Sequence, residues 1–376
     1  MTSTTTRRSR KNATPPILLD RVRQLQKRLR RLRIDALLVN NPRDIRYLTG
    51  FVGDDSWALI PASSSRVHVL SDSRFEEQIQ IEAPHVISHI RRKGLAEELA
   101  RVRQEEGFRR IGLQASYITV ATRKAIEKKV GARRIKDVDD GLLAQRAIKD
   151  KTEIANIRKA GEIQQEAFRR LLKTLKAGQT ENEIAARLEY EMRSLGADGP
   201  SFPTIVAAGA NASLPHAIPG QAKLQRNNIL LVDWGARYNG YCSDMTRVIA
   251  LGKMPAKIRE IYQIVLEAQL AGIEAIRPGA RLKDVDAAAR SVIEKAGYGD
   301  NFGHGLGHGL GLNIHELPSL GKLSKGELQP GQVVTVEPGI YLPGIGGVRI
   351  EDDVLVTERG RQVLTHLPKD LDSAII

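Results

Sequence analysis

The sequence predicts an α/β N-terminal domain followed by an α+β C-terminal domain. Two patterns and the chain length carry this reading. Short apolar runs rich in branched residues alternate with helical patterns from Ile34 to about Asp139, as expected of an α/β unit. Beyond Asp150 the helices become long and come in pairs, and each pair is followed by a hairpin. With 376 residues there is room for two domains, each with its own core. The expected boundaries are a disordered basic tail over 1–16, a first domain over 17–145 and a second over 146–376.

In chain order, the tail is rich in Ser, Thr and Arg and ends in Pro15-Pro16. Leucines and Val22 recur at helical spacing from Leu18 to Leu32. Ile34–Val39, Tyr47–Phe51, Trp57–Ile60 and Val67–Ser71 read as extended runs, and Arg74–Gln78 begins a helix. Asp150 with Glu153, then Thr180 with Glu183, form capping pairs that start helices ending at Gly178 and Gly196. Two more helices are expected over 256–277 and 282–296, stopped by Pro278-Gly279 and by Gly297.

Between these helix pairs runs Ile229–Leu251, with an Asn239-Gly240 pair between two apolar arms, a strong short-range hairpin signal. A two-residue loop there puts residues whose numbers sum to 479 opposite each other, so Asp233 faces Thr246 and Gly235 faces Asp244. Asp233 and Asp244 then share one face as diagonal neighbours, roughly 7–8 Å apart. Two carboxylates in an apolar hairpin repel each other and lose hydration, and a bound cation relieves both costs. Alternatively, one caps a turn or pairs with Arg247. A second hairpin has arms Val333–Glu337 and Val348–Val356, joined by a loop over 338–347. Val232-Asp233-Trp234-Gly235 matches Val336-Glu337-Pro338-Gly339, a weak repeat that predicts two related halves with acids converging between them.

Phe302–Glu316 carries five alternating glycines and the histidines 304, 308 and 315, three of the eight in the chain. No register gives a GxGxxG fingerprint and no GK[ST] follows, which excludes both dinucleotide and P-loop readings. A backbone that can approach a ligand closely while holding imidazoles over it is what is left.

The net charge of +14 is concentrated in residues 1–33, which hold eleven basic residues and one acidic one. The body carries only +4, so nucleic acid is not an expected partner. A solvated extension accounts for the tail, with weak attachment to an anionic partner as the alternative. Arg7-Arg8 is not followed by an apolar region, which argues against a secretory signal, and no run approaches the roughly 20 apolar residues of a membrane span. The single cysteine, Cys242, fits a reducing cytoplasm. It reads as a small buried filler beside Asp244, or else as a nucleophile.

The set Asp233, Asp244, His308, Glu337 and Glu351 resembles the five-ligand dinuclear site of the pita-bread metallopeptidases, the family of aminopeptidase P, prolidase and methionine aminopeptidase. The stretches that carry the resemblance are DWGARYNGYCSDMTR, GHGLGLNIHELP, VVTVEPGIY and GVRIEDDVLV. YLTGF and SDSRFEEQ resemble the creatinase-like N-terminal domain, which methionine aminopeptidases lack. The resemblance therefore implies a creatinase-like first domain, a pita-bread catalytic domain and the proline-specific branch. It implies two divalent ions, Mn²⁺ or Co²⁺ ahead of Fe²⁺ or Zn²⁺, because oxygen ligands dominate. Asp244 and Glu351 would bridge the ions, and a bridging hydroxide would attack the scissile carbonyl.

His216, in Leu214-Pro215-His216, and His315 would contact the substrate, and Glu337 would double as a proton shuttle. His304 would pack beside the pocket or touch substrate, and Arg349 would orient the acids. The implied substrate is a peptide with proline in second position, cleaved as an Xaa-Pro aminopeptidase or Xaa-Pro dipeptidase. A homodimer is implied by resemblance alone. Two other readings stay open: a creatinase-like, metal-free C–N hydrolase, and a non-enzymatic pita-bread protein that binds a macromolecule.

Overall fold

The computed structural model describes residues 13–139 and 141–376. They form two compact units that divide between Gln145 and Arg146. Residues 1–12, most of the expected disordered tail, lie outside the described residues.

In the first unit a helix, Pro16–Leu32, opens with proline at its first position, where the missing N–H costs nothing. It buries Leu18, Val22, Leu25 and Leu29, the apolar stripe seen in the sequence. Six strands among the described residues form one sheet, in the order Ile87–Ile90, His68–Ser71, Trp57–Pro61, Ala36–Val39, Ile111–Gln114, Ile135–Val138. Trp57–Pro61 is antiparallel to both its neighbours, and the remaining pairs are parallel.

One expected extended run is a helix. Pro42–Thr49 is helical, with the Asn41 side chain accepting from the Arg43 N–H at its start and Gly50 left-handed at its end. Its aromatic and β-branched residues resemble a strand, but the Asn-Pro start and glycine stop decide the conformation.

In the second unit both capping boxes are present. Asp150 and Glu153 start Lys151–Leu172, and Thr180 and Glu183 start Glu181–Ser194. The strand Asn228–Trp234 pairs with Met245–Leu251 in the register expected, Asp233 opposite Thr246. Asn239 and Gly240 have φ of 46° and 74°, as a two-residue hairpin turn of the primed type requires. Alternate residues of Asn228–Trp234 serve two cores. Ile229 and Leu231 pack with the helix Ala256–Ala275, while Leu230, Val232 and Trp234 pack against the two capped helices. Trp234 stacks on Phe168 with ring centroids 4.4 Å apart.

The second hairpin departs from expectation at its tip. Residues 338–347 are not simply a loop, because Gly339–Leu342 and Gly346–Arg349 pair as a further ladder. Val333–Val336 pairs with Asp352–Val356 in a register continuous with it. Both hairpins are therefore interrupted at corresponding places, at Gly235 against 243–244 and at 337–338 against 350–351. Asp244, Glu337 and Glu351 sit within these interruptions and Asp233 stands two residues before one. The breaks free the backbone from the ladder where the acids must turn toward a common point.

Candidate active site

The two interruptions are stitched together. Glu351 N–H donates to Thr246 O at 3.2 Å, and Asp244 N–H donates to Asp353 Oδ2 at 3.0 Å. Thr246 Oγ1 donates to Glu351 Oε2 at 2.7 Å. These contacts hold the two hairpin breaks together beside a cavity of about 490 Å³. Asp233, Asp244, His308, Glu337, Glu351, His216, His315, His304 and Arg349 all line it. Phe202, Pro203, Ile205 and Ile218 supply apolar wall. Cys242 is buried and is not among the lining residues.

Ligand atoms of Asp244, His308 and Glu351 lie within 4.8 Å of one another, close enough to share one ion. His308 Nε2 is 3.6 Å from Asp244 Oδ2 and 3.3 Å from Glu337 Oε1. Its Nδ1 lies 3.1 Å from Gly309 O, which makes Nδ1 the donor nitrogen. Burial holds this imidazole below its ordinary pKa, so it is neutral, and the Nε2 lone pair faces two carboxyl groups. An acceptor aimed at acceptors is an arrangement a cation satisfies.

The carboxyl groups carry the same signature. Burial, then Glu351 and Asp233, push Asp244 well up. Burial, then Glu337 and Asp233, do so for Glu351. Burial likewise raises Glu337, to about 7, against the pull of Arg349. Asp233 Oδ1, Asp244 Oδ1 and Glu351 Oε1 are buried without a hydrogen-bond partner among the described residues. Three orphaned acid oxygens beside a neutral imidazole nitrogen fit a divalent-cation site.

Arg349 is buried, not solvated. It donates from Nη2 to Asp233 Oδ2 at 2.5 Å, from Nε to Thr246 Oγ1 at 3.0 Å and from Nη1 to Tyr341 Oη at 2.7 Å. His304 Nδ1 faces Gly305 O at 2.8 Å, so its Nε2 accepts from Tyr341 O–H at 2.9 Å. Burial holds His304 down at about 4. Arg247 is buried and pairs with Asp352 at 2.8 Å, and its ion pair is with neither Asp233 nor Asp244, which removes the Arg247 alternative. His216 and His315 are exposed on the cavity wall. The His315 ring meets His308 edge-on at 4.4 Å.

Gly305 and Gly307 of the glycine run line the cavity together with His304, His308 and His315, and the run also lets strands pack closely. A Cβ on Gly307 would lie 2.1 Å from Thr335 O and one on Gly309 2.1 Å from Leu317 O. These glycines admit neighbouring backbone on either side of His308, whose side chain faces the cavity. Sequence reasoning passed over Tyr341 and Thr246. The hairpin register already placed Thr246 opposite Asp233, a usable signal, and Tyr341 closes the VVTVEPGIY stretch.

Residues 155–358 match the model of metallopeptidase family M24, and residues 21–148 match the creatinase/prolidase N-terminal domain. An uncharacterized peptidase of Bacillus subtilis is 39% identical over 342 residues, covering 90% of this chain and 96% of that one. An Xaa-Pro dipeptidase structure from Bacillus anthracis superposes with a TM-score of 0.91 at 37% identity, covering 96% of this chain and all of the other. An X-Pro aminopeptidase structure from Thermotoga maritima gives 0.86 at 36% identity, covering 93% of this chain and all of the other. With the pita-bread domain matched over most of its length and the creatinase-type domain ahead of it, the chain belongs to metallopeptidase family M24.

Proposed function

We propose that this peptidase hydrolyses Xaa-Pro bonds at peptide N-termini, as an Xaa-Pro aminopeptidase or dipeptidase with two divalent ions. The observation that carries the reading is that Asp233, Asp244, His308, Glu337 and Glu351, from two hairpins and a histidine strand, line one cavity. Relatives named Xaa-Pro dipeptidase and X-Pro aminopeptidase support the substrate class.

Asp233, Asp244, His308, Glu337 and Glu351 would hold the ions, and oxygen-rich ligation favours Mn²⁺ or Co²⁺. Bound there, such ions acidify a water toward neutrality and polarise the scissile carbonyl. Arg349 holds Asp233 in place through its Nη2, and Thr246 does the same for Glu351. His216 and His315, exposed on the wall, donate to the substrate carbonyl oxygen as it gains charge. A prolyl nitrogen leaves as a secondary amine and must be protonated. Glu337, which lines the cavity beside His308, would relay that proton.

The resemblance adds a homodimer acting in the cytoplasm. No helix among the described residues is long and apolar enough to cross a membrane. The test is hydrolysis of Ala-Pro and of a longer Xaa-Pro-Yaa peptide by protein loaded with Mn²⁺ or Co²⁺. Turnover should vanish on chelation and return with metal. Turnover unaffected by exhaustive chelation, or equal cleavage of peptides lacking proline, would overturn the reading. The ratio of the two substrates separates dipeptidase from aminopeptidase.

A further inference from the structure

The mechanism leaves a buried charge cluster around Glu316 unused. Strand Glu316–Leu320 alternates buried and exposed residues, so Glu316 points inward while its neighbour His315 is exposed on the cavity wall. The Glu316 side chain is only 2% exposed, and Arg146 and Lys149, each at 1%, donate to its two oxygens. Lys149 Nζ is 3.2 Å from Oε2, and Oε1 also accepts from Asn313 N–H at 3.0 Å. Burial alone would raise this carboxyl, but Lys149 and Arg146 outweigh it and hold it ionised below its ordinary range.

The same cluster reaches the rest of the site through the backbone. Gly311 N–H donates to Asn313 O at 2.9 Å, and Cys242 N–H donates to Gly311 O at 2.8 Å, tying the loop to the hairpin that carries Asp244. Glu153 follows Lys149 and accepts from Tyr241 O–H at 3.2 Å on that hairpin. The segment from Arg146 to Glu153 thus clasps both the His308–His315 loop and the turn beside Asp244.

We propose that Glu316, clamped by Arg146 and Lys149, is a positioning residue for the reaction: it fixes the loop from Gly309 to His315 and so the edge-on placement of His315 against His308. The idea rests on the reading of His315 as a substrate-contacting group. It assigns a buried ion cluster, costly to desolvate, to catalytic geometry as well as to stability.

The test is Glu316→Gln in the metal-loaded full chain, alone and combined with His315→Ala. Glu316→Gln should lower kcat against an Xaa-Pro peptide ten- to a hundredfold with KM changed less than threefold. In the His315→Ala background the same change should cost less than threefold, because the clamp then has nothing left to place. Equal losses in both backgrounds would overturn the proposal. Glu316→Gln leaves two buried cations facing one remaining acid, Glu153, and can fail to fold. Lys149→Met/Glu316→Gln restores charge balance, and it should recover Tm but not kcat. Recovery of kcat along with Tm also overturns it. A second readout needs no substrate: in ¹⁵N-histidine-labelled protein the His315 ring resonances should shift or broaden in the charge-balanced variant, with those of His68 and His89 unmoved. An unmoved His315 would refute the clamp even if Xaa-Pro peptides prove to be the wrong substrate. Absent Xaa-Pro turnover with a shifted His315 would refute only the substrate.

Discussion

Arg349 uses its whole fork: Nε holds Thr246, Nη1 holds Tyr341 and Nη2 holds Asp233. Lysine keeps the charge but offers a single nitrogen at a different reach, so it cannot make three divergent bonds in one plane. Arg349→Lys should therefore lower kcat/KM at least tenfold and weaken metal affinity by a comparable factor, read by isothermal titration with Mn²⁺. Wild-type affinity in the variant would show that charge alone suffices.

The chain continues through Tyr341 to His304, whose pKa of about 4 against an unfolded value of 6.5 sets a sign. Between those values the unfolded state binds the proton and the native state does not, so stability is full above pH 6.5 and falls as pH drops toward 4. The difference amounts to at most about 3 kcal/mol. His304→Phe should flatten the urea stability profile between pH 6.5 and 4 by up to that amount. A profile parallel to wild type would mean His304 titrates normally.

At the scale of elements, the first hairpin depends on a position where the two arms touch without pairing. A Cβ on Gly235 would lie 2.0 Å from Ser243 O, a backbone atom with no rotamer to yield. Gly235→Ala should push the arms apart between Asp233 and Asp244, costing about 2 kcal/mol or more in denaturant unfolding and reducing bound metal per chain. Unchanged metal content by elemental analysis would show that the acids do not depend on this contact.

The register of this hairpin was legible from the sequence because a two-residue Asn-Gly turn leaves one way to pair its arms. The helix Pro42–Thr49 was less so. Its side chains favour extended structure, and the cap and proline that override them are single residues. The ladder hidden in 338–347 was missed because an interrupted hairpin looks like a long loop when read as one arm. Its break carries the acids, so the irregularity that misled the reading is the one the site requires. Glu316 was out of reach for another reason: its partners Arg146 and Lys149 lie 170 and 167 residues away, and no local pattern announces such pairs.

At the scale of the whole molecule, the five candidate ligands span Asp233 to Glu351, and the helices Ala256–Ala275 and Leu282–Lys295 intervene between the two hairpins. Without a cation the surrounding core buries acids from both hairpins side by side, and burial first, then the neighbouring carboxyl groups, pushes their pKa values up. A bound ion converts the repulsion into a cross-link, and it stabilises the native state by an amount set by its concentration relative to Kd. At a hundredfold excess over Kd that is about 2.7 kcal/mol. Chelation should therefore lower Tm and selectively speed amide exchange in 229–251 and 333–356. The sheet built from Ala36–Val39, Trp57–Pro61 and Ile111–Gln114 has its own core and should exchange as before. Hydrogen exchange with and without Mn²⁺ measures both. Loss of protection spread evenly over both units would mean that the ion supports the fold at large, and no loss anywhere would mean that the acids hold their places without it.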